Sequence, residues 1–222
     1  MLSKDFPIRR FLLPEAGLQY SDRGKVDNGM LSNFYTLPQS ATYRGIRMKT
    51  VENLYMALKN PQAQIEVPYE DGKRLSSYIH EIGAASPGKA KLLSYKIPLR
   101  ESWSTIEIAA MEFAMSFKYC GDNVASDWLL QQDPRSLIEW NNWGDQKYGV
   151  EVTDDRDFGE GRNILGLLTA LYQRRLQNGK FVRIADESLW AERQNNLLAE
   201  LGELADELFG IIPPPPQSSF DF

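Results

Sequence analysis

The chain has 222 residues, of which 42% are hydrophobic and 11% aromatic, so it is long enough and apolar enough to fold around a sizeable core. A formal net charge of −5 argues against nucleic-acid binding through a broad basic surface, although a small basic pocket could still hold one phosphate. With one histidine, His80, and one cysteine, Cys120, the chain cannot build a His/Cys metal site, and we expect neither metal nor cofactor. Any catalysis must therefore rest on carboxylates, lysine, tyrosine or main-chain groups.

The number of cysteines and the sequence of the N-terminus indicate the cellular compartment. One cysteine cannot form an internal disulfide, and residues 1–17 contain no apolar stretch long enough for a signal peptide. No apolar run approaches the ~20 residues needed to cross a bilayer. These features predict a soluble, cytoplasmic (intracellular) protein with no membrane partner.

The first part of the chain favours short strands and loops. Between residues 6 and 37, short apolar runs are broken by the turn-forming residues 22–29. Residues 41–48 alternate in part, which predicts a small hairpin, and Thr50 is ready to cap the helix that follows. Residues 60–83 are polar with two prolines, and their pattern resolves into no single element. We interpret this segment as a possible insertion.

Helical periodicity dominates the remainder. The predicted helices run over residues 50–59, about 87–95, 104–121, 123–130, 164–177 and 186–209. The helix over 104–121 has a second stripe beside its core face, made of Glu107, Met111, Met115 and Lys118. This stripe predicts a contact beyond the core. Short strands are predicted for SLIEW, residues 136–140, and FVRI, residues 181–184.

The helix over 50–59 carries an acid and an amine on one stripe. Because a helix turns about 100° per residue, Lys59 returns to within roughly 20° of Glu52, on the order of 10 Å along the axis. An ordinary charge pair on a solvated face is one interpretation. A pair that serves chemistry is the other, and this helix alone does not separate them.

Residues 141–162 are rich in glycine, acidic and aromatic residues, which is typical of a functional loop. Gly161 and the amides at the start of the Asn163 helix could hold a phosphate, because a helix N-terminus presents unpaired N–H groups and partial positive charge. Acidic neighbours would repel that phosphate. We therefore expect Arg156 or Arg162 to offset their charge.

Several motifs occur in the order of one known family. They are LSNFY at 31–35, YRGIRMKTVENLYMALK at 43–59, SPGKAK at 86–91, Trp103, Met111, FK at 117–118, LIE at 137–139 and GEGRNILGLL at 159–168. In this order the chain resembles the NADAR family over residues 31–176, about two thirds of its length. The resemblance implies a compact, mainly helical α+β fold, YbiA-like, with a small β-sheet formed largely by N-terminal strands. It also implies a single catalytic domain over 1–182 with an N-terminal extension, leaving a C-terminal helix and proline-rich tail over 183–222.

The resemblance implies hydrolysis of N-glycosidic bonds to ribose. Activities known in the family include removal of ADP-ribose from guanine in nucleic acid and cleavage of the ribosylamino-pyrimidine phosphates of early riboflavin synthesis. Residues 60–83 and 141–162 would shape a wider entrance than the bacterial prototype needs, so we expect the first substrate and keep the second as the alternative. A module that binds ADP-ribose or NAD without turnover is a third hypothesis, of a different class.

The resemblance also assigns candidate catalytic residues. Glu52 and Lys59 match the glutamate and lysine of the family's first helix, and Trp103 matches the tryptophan ahead of its long helix. Glu52 could stabilise a sugar cation or activate water. Lys59 could instead attack an opened C1 aldehyde and form a Schiff base, if burial lowers its pKa. Trp103 would stack on the base.

The third catalytic candidate departs from the family pattern. Asp145 matches the aspartate of D-x-x-W-G, but Tyr148 replaces the tryptophan and the spacing from Glu139 is one residue longer. Trp143 is the alternative aromatic, and then Asp145 would be displaced. Lys118 is an alternative phosphate contact or reactive amine. The other expected substrate contacts are Asn33, Phe34, Tyr55, Gly161, Arg162 and Asn163.

Overall fold

A computed structural model describes residues 6–13, 32–38, 41–70, 72–153, 156–180, 183 and 185–210. The strands are β1 (Arg9–Leu12), β2 (Thr42–Tyr43), β3 (Ile46–Arg47), β4 (Gln64–Tyr69), β5 (Gly72–Ser77), β6 (Trp140–Asn141), β7 (Val150–Val152) and β8 (Phe158–Gly161). The helices are α1 (Val51–Leu58), α2 (Tyr78–Ala84), α3 (Pro87–Ser94), α4 (Trp103–Tyr119), α5 (Asn123–Leu130), α6 (Ile164–Gln177) and α7 (Trp190–Phe209). Short 3-10 turns lie at Pro134–Ser136 and Glu187–Leu189. The mixed, mainly helical fold with small sheets is confirmed.

The described chain divides into two structural units. The first unit contains residues between 18 and 132 and between 172 and 197. The second contains residues between 2 and 17, between 133 and 171, and from 198 onward. The expected domain boundary at residue 182 stays a prediction.

Helix α1 of the first unit begins where its cap predicts. The hydroxyl of Thr50 accepts the N–H of Asn53 at 3.1 Å, which satisfies one of the amides that a helix start leaves open. Every residue of the helix is buried, and it packs against α2, α3 and α4. Glu52 therefore does not belong to a solvated face. The predicted hairpin forms as β2–β3 just before this helix.

The polar segment 60–83 forms an antiparallel hairpin, β4–β5, followed by α2. Strand β4 alternates between exposed and buried residues over its first four positions, whereas no position of β5 is buried. A strand without a buried face shows no alternation of period two. The sequence pattern could not reveal this hairpin for that reason.

The four-stranded sheet of the second unit differs from expectation. Its order is β1-β8-β7-β6, with β6 parallel to β7 and the other pairs antiparallel. Only β1 is N-terminal. Strands β7 and β8 lie within the segment that we interpreted as a glycine-rich loop, and β6 crosses the start of that segment. Glycine is needed in this segment because the backbones of neighbouring strands approach each other closely. A Cβ on Gly161 would lie 2.1 Å from the carbonyl oxygen of Gly149, so glycine here permits strand packing.

The predicted strand over 136–140 is largely wrong. Asp133 accepts the N–H of Arg135 at 2.9 Å and starts a 3-10 turn, and the chain enters β6 only at Trp140. The local hydrogen bonds of Asp133 outweigh the apolar pattern that follows it. The predicted FVRI strand, apart from residue 183, and the tail after residue 210 lie outside the described residues.

A substitution at Gly166, near the start of α6, is expected to have a large effect on stability. A Cβ at Gly166 would lie 2.0 Å from the carbonyl oxygen of Leu137 and 2.5 Å from the side chain of Asn163. Gly166→Ala is therefore expected to lower the free energy of unfolding by about 3 kcal/mol, because backbone must shift to admit the methyl group. Gly202→Ala in α7 is the matched control, since nothing lies within 4 Å of its added Cβ.

The control should leave stability unchanged or raise it by about 0.5 to 1 kcal/mol, through the helix propensity of alanine. Urea unfolding of both variants measures the difference. Equal free energies of unfolding for the two variants would contradict the packing described at Gly166.

Candidate active site

Helix α1 supplies both the acid and the amine of the candidate site. Glu52, 7% exposed, lies in its first turn, and Lys59 is the half-buried residue at its C-terminal cap. Burial raises the pKa of Glu52, and the charges of Lys91 and Lys59 oppose that rise. Burial lowers the pKa of Lys59, while the charge of Glu52 opposes the fall. The charges of the two groups therefore act on each other, and each pKa is shifted in the direction that favours the neutral form.

Helix α3 holds the amine of Lys59. The Nζ of Lys59 donates to the hydroxyl of Ser94 at 3.3 Å, and that hydroxyl donates to the main-chain carbonyl of Lys91 at 2.7 Å. The ring centroid of Tyr95 lies 5.8 Å from the same Nζ. Ser94 and Lys91 were not predicted as partners of Lys59. The signal available for them was SPGKAK, which contains Lys91 and places Ser94 three residues, nearly one helical turn, further on.

Two main-chain hydrogen bonds, by way of Arg100, connect Trp103 to Lys59. The N–H of Arg100 donates to the carbonyl of Lys59 at 3.1 Å, and the N–H of Trp103 donates to the carbonyl of Arg100 at 2.9 Å. The Trp103 ring packs against Tyr55 with centroids 5.4 Å apart and planes inclined by 48°. Trp103 is only 6% exposed, so a bound base would contact the small exposed part of its ring. Four predicted site residues thus meet in the first unit: Glu52, Tyr55, Lys59 and Trp103.

The segment before β2 also reaches this part of the first unit. The carbonyl of Asn33 accepts the main-chain N–H of Glu52 at 2.9 Å, and the Asn33 amide lies 3.8 Å from the sulfur of Met111. Phe34 is exposed. The contact between Asn33 and Met111 explains part of the second stripe of α4. Met111 and Lys118 of that stripe contact Asn33 and Ser32.

Lys118 is a core lysine. It is 1% exposed, and its Nζ donates to the carbonyl of Ser32 at 3.3 Å. The rings of Tyr35 and Tyr119 lie 5.4 Å and 4.8 Å from this Nζ. Aromatic faces attract a cation, so these rings help to hold the buried amine. Its burial shows that Lys118 is not an exposed surface lysine.

The other predicted contacts belong to the second unit. The Oδ1 of Asp145 accepts the N–H groups of Lys147 at 3.1 Å and Tyr148 at 2.9 Å. The side chain of Asn141 accepts the N–H of Asp145 at 3.0 Å and donates to its carbonyl at 2.7 Å. Asp145 therefore organises a turn. Trp143 is 63% exposed beside it, and Tyr148 is partly buried.

The amides at the start of α6 already have partners. Those of residues 163–165 donate to the carbonyls of residues 147–149 over distances of 2.9 to 3.4 Å. The side chain of Asn163 joins Leu137 and Glu139, and the Nε of Arg162 donates to the carbonyl of Phe6 at 2.8 Å. These bonds give Arg162 and Asn163 a structural role in the second unit. The phosphate site expected at this helix start would have to compete with them.

Two negative findings apply to the part of the chain that the structure describes. Within it, no three His, Cys, Asp or Glu side chains are grouped so that they could hold a metal ion. Among the same residues, no helix has the length and apolar character required to span a membrane.

Comparison with known proteins gives one result. No curated protein and no solved structure matches this chain significantly. The model of the NADAR domain matches residues 19–177. This range is well over half of the chain and contains the whole of α1 with Glu52 and Lys59, together with Trp103. The chain therefore belongs to the NADAR family.

Proposed function

We propose that this protein is an N-glycosidase that breaks the bond between ribose C1 and a base nitrogen, and that it removes ADP-ribose from guanine in nucleic acid. Its family is associated with N-glycosidase activity. The observation that carries the proposal is the pair of buried Glu52 and half-buried Lys59 at the two ends of one helix, each acting electrostatically on the other. Buried groups with shifted pKa values are candidates for proton transfer and nucleophilic attack.

The reaction needs two kinds of help. Cleavage of the C1–N bond places positive charge on the sugar and leaves the electron pair on the departing nitrogen, which must take a proton. A carboxylate beside C1 stabilises the positive charge. A carboxyl group with a raised pKa also holds a proton to a higher pH than a free carboxyl does, and it can give that proton to the leaving nitrogen. Glu52 has the burial that either role requires.

The lowered pKa of Lys59 favours a covalent route for a base attached through an amino nitrogen. The nitrogen lone pair opens the ribose ring, the C1–O4 bond breaks and O4 takes a proton. The neutral amine of Lys59 attacks C1, and the base leaves with its electron pair and a proton, so that a Schiff base forms. Water then adds to C1 and releases the sugar aldehyde and the amine. The net reaction consumes one water molecule.

In the alternative route the amine of Lys59 stays charged. Glu52 takes a proton from a water molecule as that water attacks C1, the C1–N bond breaks with its electron pair on nitrogen, and Glu52 passes the proton on to that nitrogen. The positive charge of Lys59 stabilises the ionised carboxylate of Glu52 before the attack. Both routes use Glu52 for proton transfer and Lys59 for its amine or its charge. They differ in whether the ribose ring opens and in whether a bond forms between C1 and the Nζ of Lys59.

The hairpin β4–β5 supports the larger substrate. It begins at Gln64, five residues after Lys59, and its strands are mostly exposed. An exposed hairpin that follows Lys59 so closely in the chain offers surface for more than a small pyrimidine nucleotide. The ribosylamino-pyrimidine phosphates of riboflavin synthesis remain the second candidate, because they contain the same C1–N bond.

The experiment offers the full chain an ADP-ribosylated guanine oligonucleotide and, separately, a ribosylamino-pyrimidine phosphate. We expect release of ADP-ribose from the first with a kcat/KM at least about tenfold above that for the second, because the site would bind more of the larger substrate. Mass spectrometry of the released sugar measures both reactions, and Glu52→Gln is the matched inactive control. Preference for the pyrimidine substrate would overturn the substrate assignment. If calorimetry shows binding of ADP-ribose and neither substrate is cleaved, the protein is a binding module and not an enzyme.

A further inference from the structure

The segment that follows the family match reaches the candidate site through Arg100. The main chain of Arg100 is hydrogen-bonded to both Lys59 and Trp103. Its guanidinium carbon lies 6.0 Å from the ring centroid of Trp103 and 5.4 Å from that of Trp190. Trp190 is buried and lies beyond residue 177, where the NADAR match ends. A cation between two indole rings is attracted to both.

Glu187, also beyond the match, holds the guanidinium of Arg100. The Oε2 of Glu187 lies 2.6 Å from the Nη1 of Arg100, and its Oε1 accepts the hydroxyl of Tyr43 and the guanidinium of Arg44. Burial raises the pKa of Glu187, but the hydrogen bonds from Tyr43 and Arg100 and the charges of Arg100 and Arg44 hold the pKa below its ordinary value. The carboxylate is therefore ionised at neutral pH.

The position of Arg100 depends strongly on this carboxylate. Its side chain is only 20% exposed, and in the described structure its Nε and Nη2 are buried without a hydrogen-bond partner. Removal of the negative charge at Glu187 would leave a largely buried guanidinium uncompensated, which is unfavourable. The guanidinium would shift towards solvent, and the packing of the Trp103 ring would change with it.

We propose that Glu187 is a positioning residue of the candidate active site, which acts through Arg100 on the ring of Trp103. Its consequence for kinetics rests on the proposed glycosidase function. The working catalytic unit of this protein accordingly extends past the NADAR match to at least Trp190. Glu187 itself contacts no substrate in this scheme.

The first test reads the position of Trp103 without any substrate. The chain has five tryptophans, so indole labelling with nitrogen-15 gives up to five indole N–H signals, and Trp103→Phe identifies the one from Trp103. In Glu187→Gln we expect the Trp103 signal to move. Glu192→Gln is the matched control, because Glu192 is exposed and lies on the first turn of α7. An unmoved Trp103 signal in Glu187→Gln overturns the proposal, whether or not the protein is an enzyme.

The second test is a double-mutant cycle on the preferred substrate. Glu187→Gln should lower kcat/KM about tenfold, mainly through KM, because misplacement of a binding group by a fraction of an ångström weakens substrate contact. In the Trp103→Phe background the same change should cost less than twofold, since its target is gone. Equal losses in both backgrounds would show that Glu187 does not act through Trp103 and would overturn the proposal.

A milder variant covers the case in which Glu187→Gln does not fold. Tyr43→Phe removes one hydrogen bond from the same carboxylate and leaves its charge in place. We expect the Trp103 signal to move in this variant also, but by less, and no movement would overturn the proposal. If the wild-type protein cleaves neither substrate, the proposed function fails, while the signals of Trp103 still decide the role of Glu187.

Discussion

Glu52→Gln is expected to lower kcat/KM by at least about 100-fold while raising the thermal stability of the protein at neutral pH. Glutamine keeps the shape of the side chain but can neither exchange a proton nor carry the charge that stabilises C1. The loss of activity would follow from that chemistry. The gain in stability would follow from removal of a carboxylate whose burial raises its pKa.

The pH dependence of this stability change has a definite sign. Below the ordinary pKa of glutamate, 4.5, the carboxyl is neutral in both the folded and the unfolded chain, so burial costs little. As pH rises through the raised pKa of the folded state, ionisation costs folding free energy, and stability is lost. The stabilisation by Glu52→Gln should therefore be largest near pH 7 and should shrink towards pH 4.

Thermal unfolding at pH 7 and pH 4, together with kinetics, measures both parts of the prediction. Glu192→Gln, the exposed control, should change neither stability nor kcat/KM appreciably. A Glu52→Gln protein that is inactive and also less stable at pH 7 would indicate damage to the fold instead of loss of a catalytic group. Undiminished activity would remove Glu52 from the reaction.

Lys59→Arg and Lys59→Met are each expected to lower kcat/KM by about 1000-fold. Arginine keeps the positive charge but stays protonated and cannot form a Schiff base, so its failure would identify the amine as the nucleophile. Methionine removes both charge and nucleophile. If Lys59→Arg kept most of the activity and Lys59→Met did not, charge alone would be required and the non-covalent route would hold.

Borohydride trapping tests the covalent route separately. Reduction during turnover should fix the sugar to the peptide that contains Lys59, with the mass of the sugar fragment added. Lys118 is the other lysine considered as a reactive amine, and peptide mapping distinguishes the two. An adduct on Lys118 would transfer the nucleophilic role to the core lysine. No adduct on either would exclude the Schiff base.

Local signals predicted much of the helical part of the fold. Thr50 caps α1 as expected, because its side-chain oxygen accepts an amide N–H only three residues further along the chain. Helix α6 occupies its predicted range, residues 164–177. These features depend on near neighbours in the chain, and the sequence displays near neighbours directly.

The misjudged elements depend on distant partners. Gly161 has the sequence pattern of a loop residue, but the pairing of strands β7 and β8 brings the backbone of Gly149 and Val150 against it. The amides at the start of α6 were predicted to bind a phosphate. They instead donate to the carbonyls of residues 147–149, and the sequence pattern does not reveal these partners. In both cases the decisive atom lies more than ten residues away in the chain.

The part of the candidate site that depends on near neighbours in the chain was predictable. Glu52 and Lys59 share one helix, so their common stripe is visible in the sequence, and family motifs added Trp103. Their charge relations to Lys91 and the contact of Lys59 with Ser94 required the packing of α1 against α3. The role of Glu187 required a contact across more than eighty residues with Arg100.

The most direct test of the shared role of Glu52 and Lys59 is a double-mutant cycle of kcat/KM on the ADP-ribosylated guanine oligonucleotide. Two groups that serve one chemical step give non-additive losses. We predict that Glu52→Gln combined with Lys59→Met is no more than about threefold slower than the slower single variant. Losses that multiply in the double variant, or near wild-type activity in either single variant, would contradict the account.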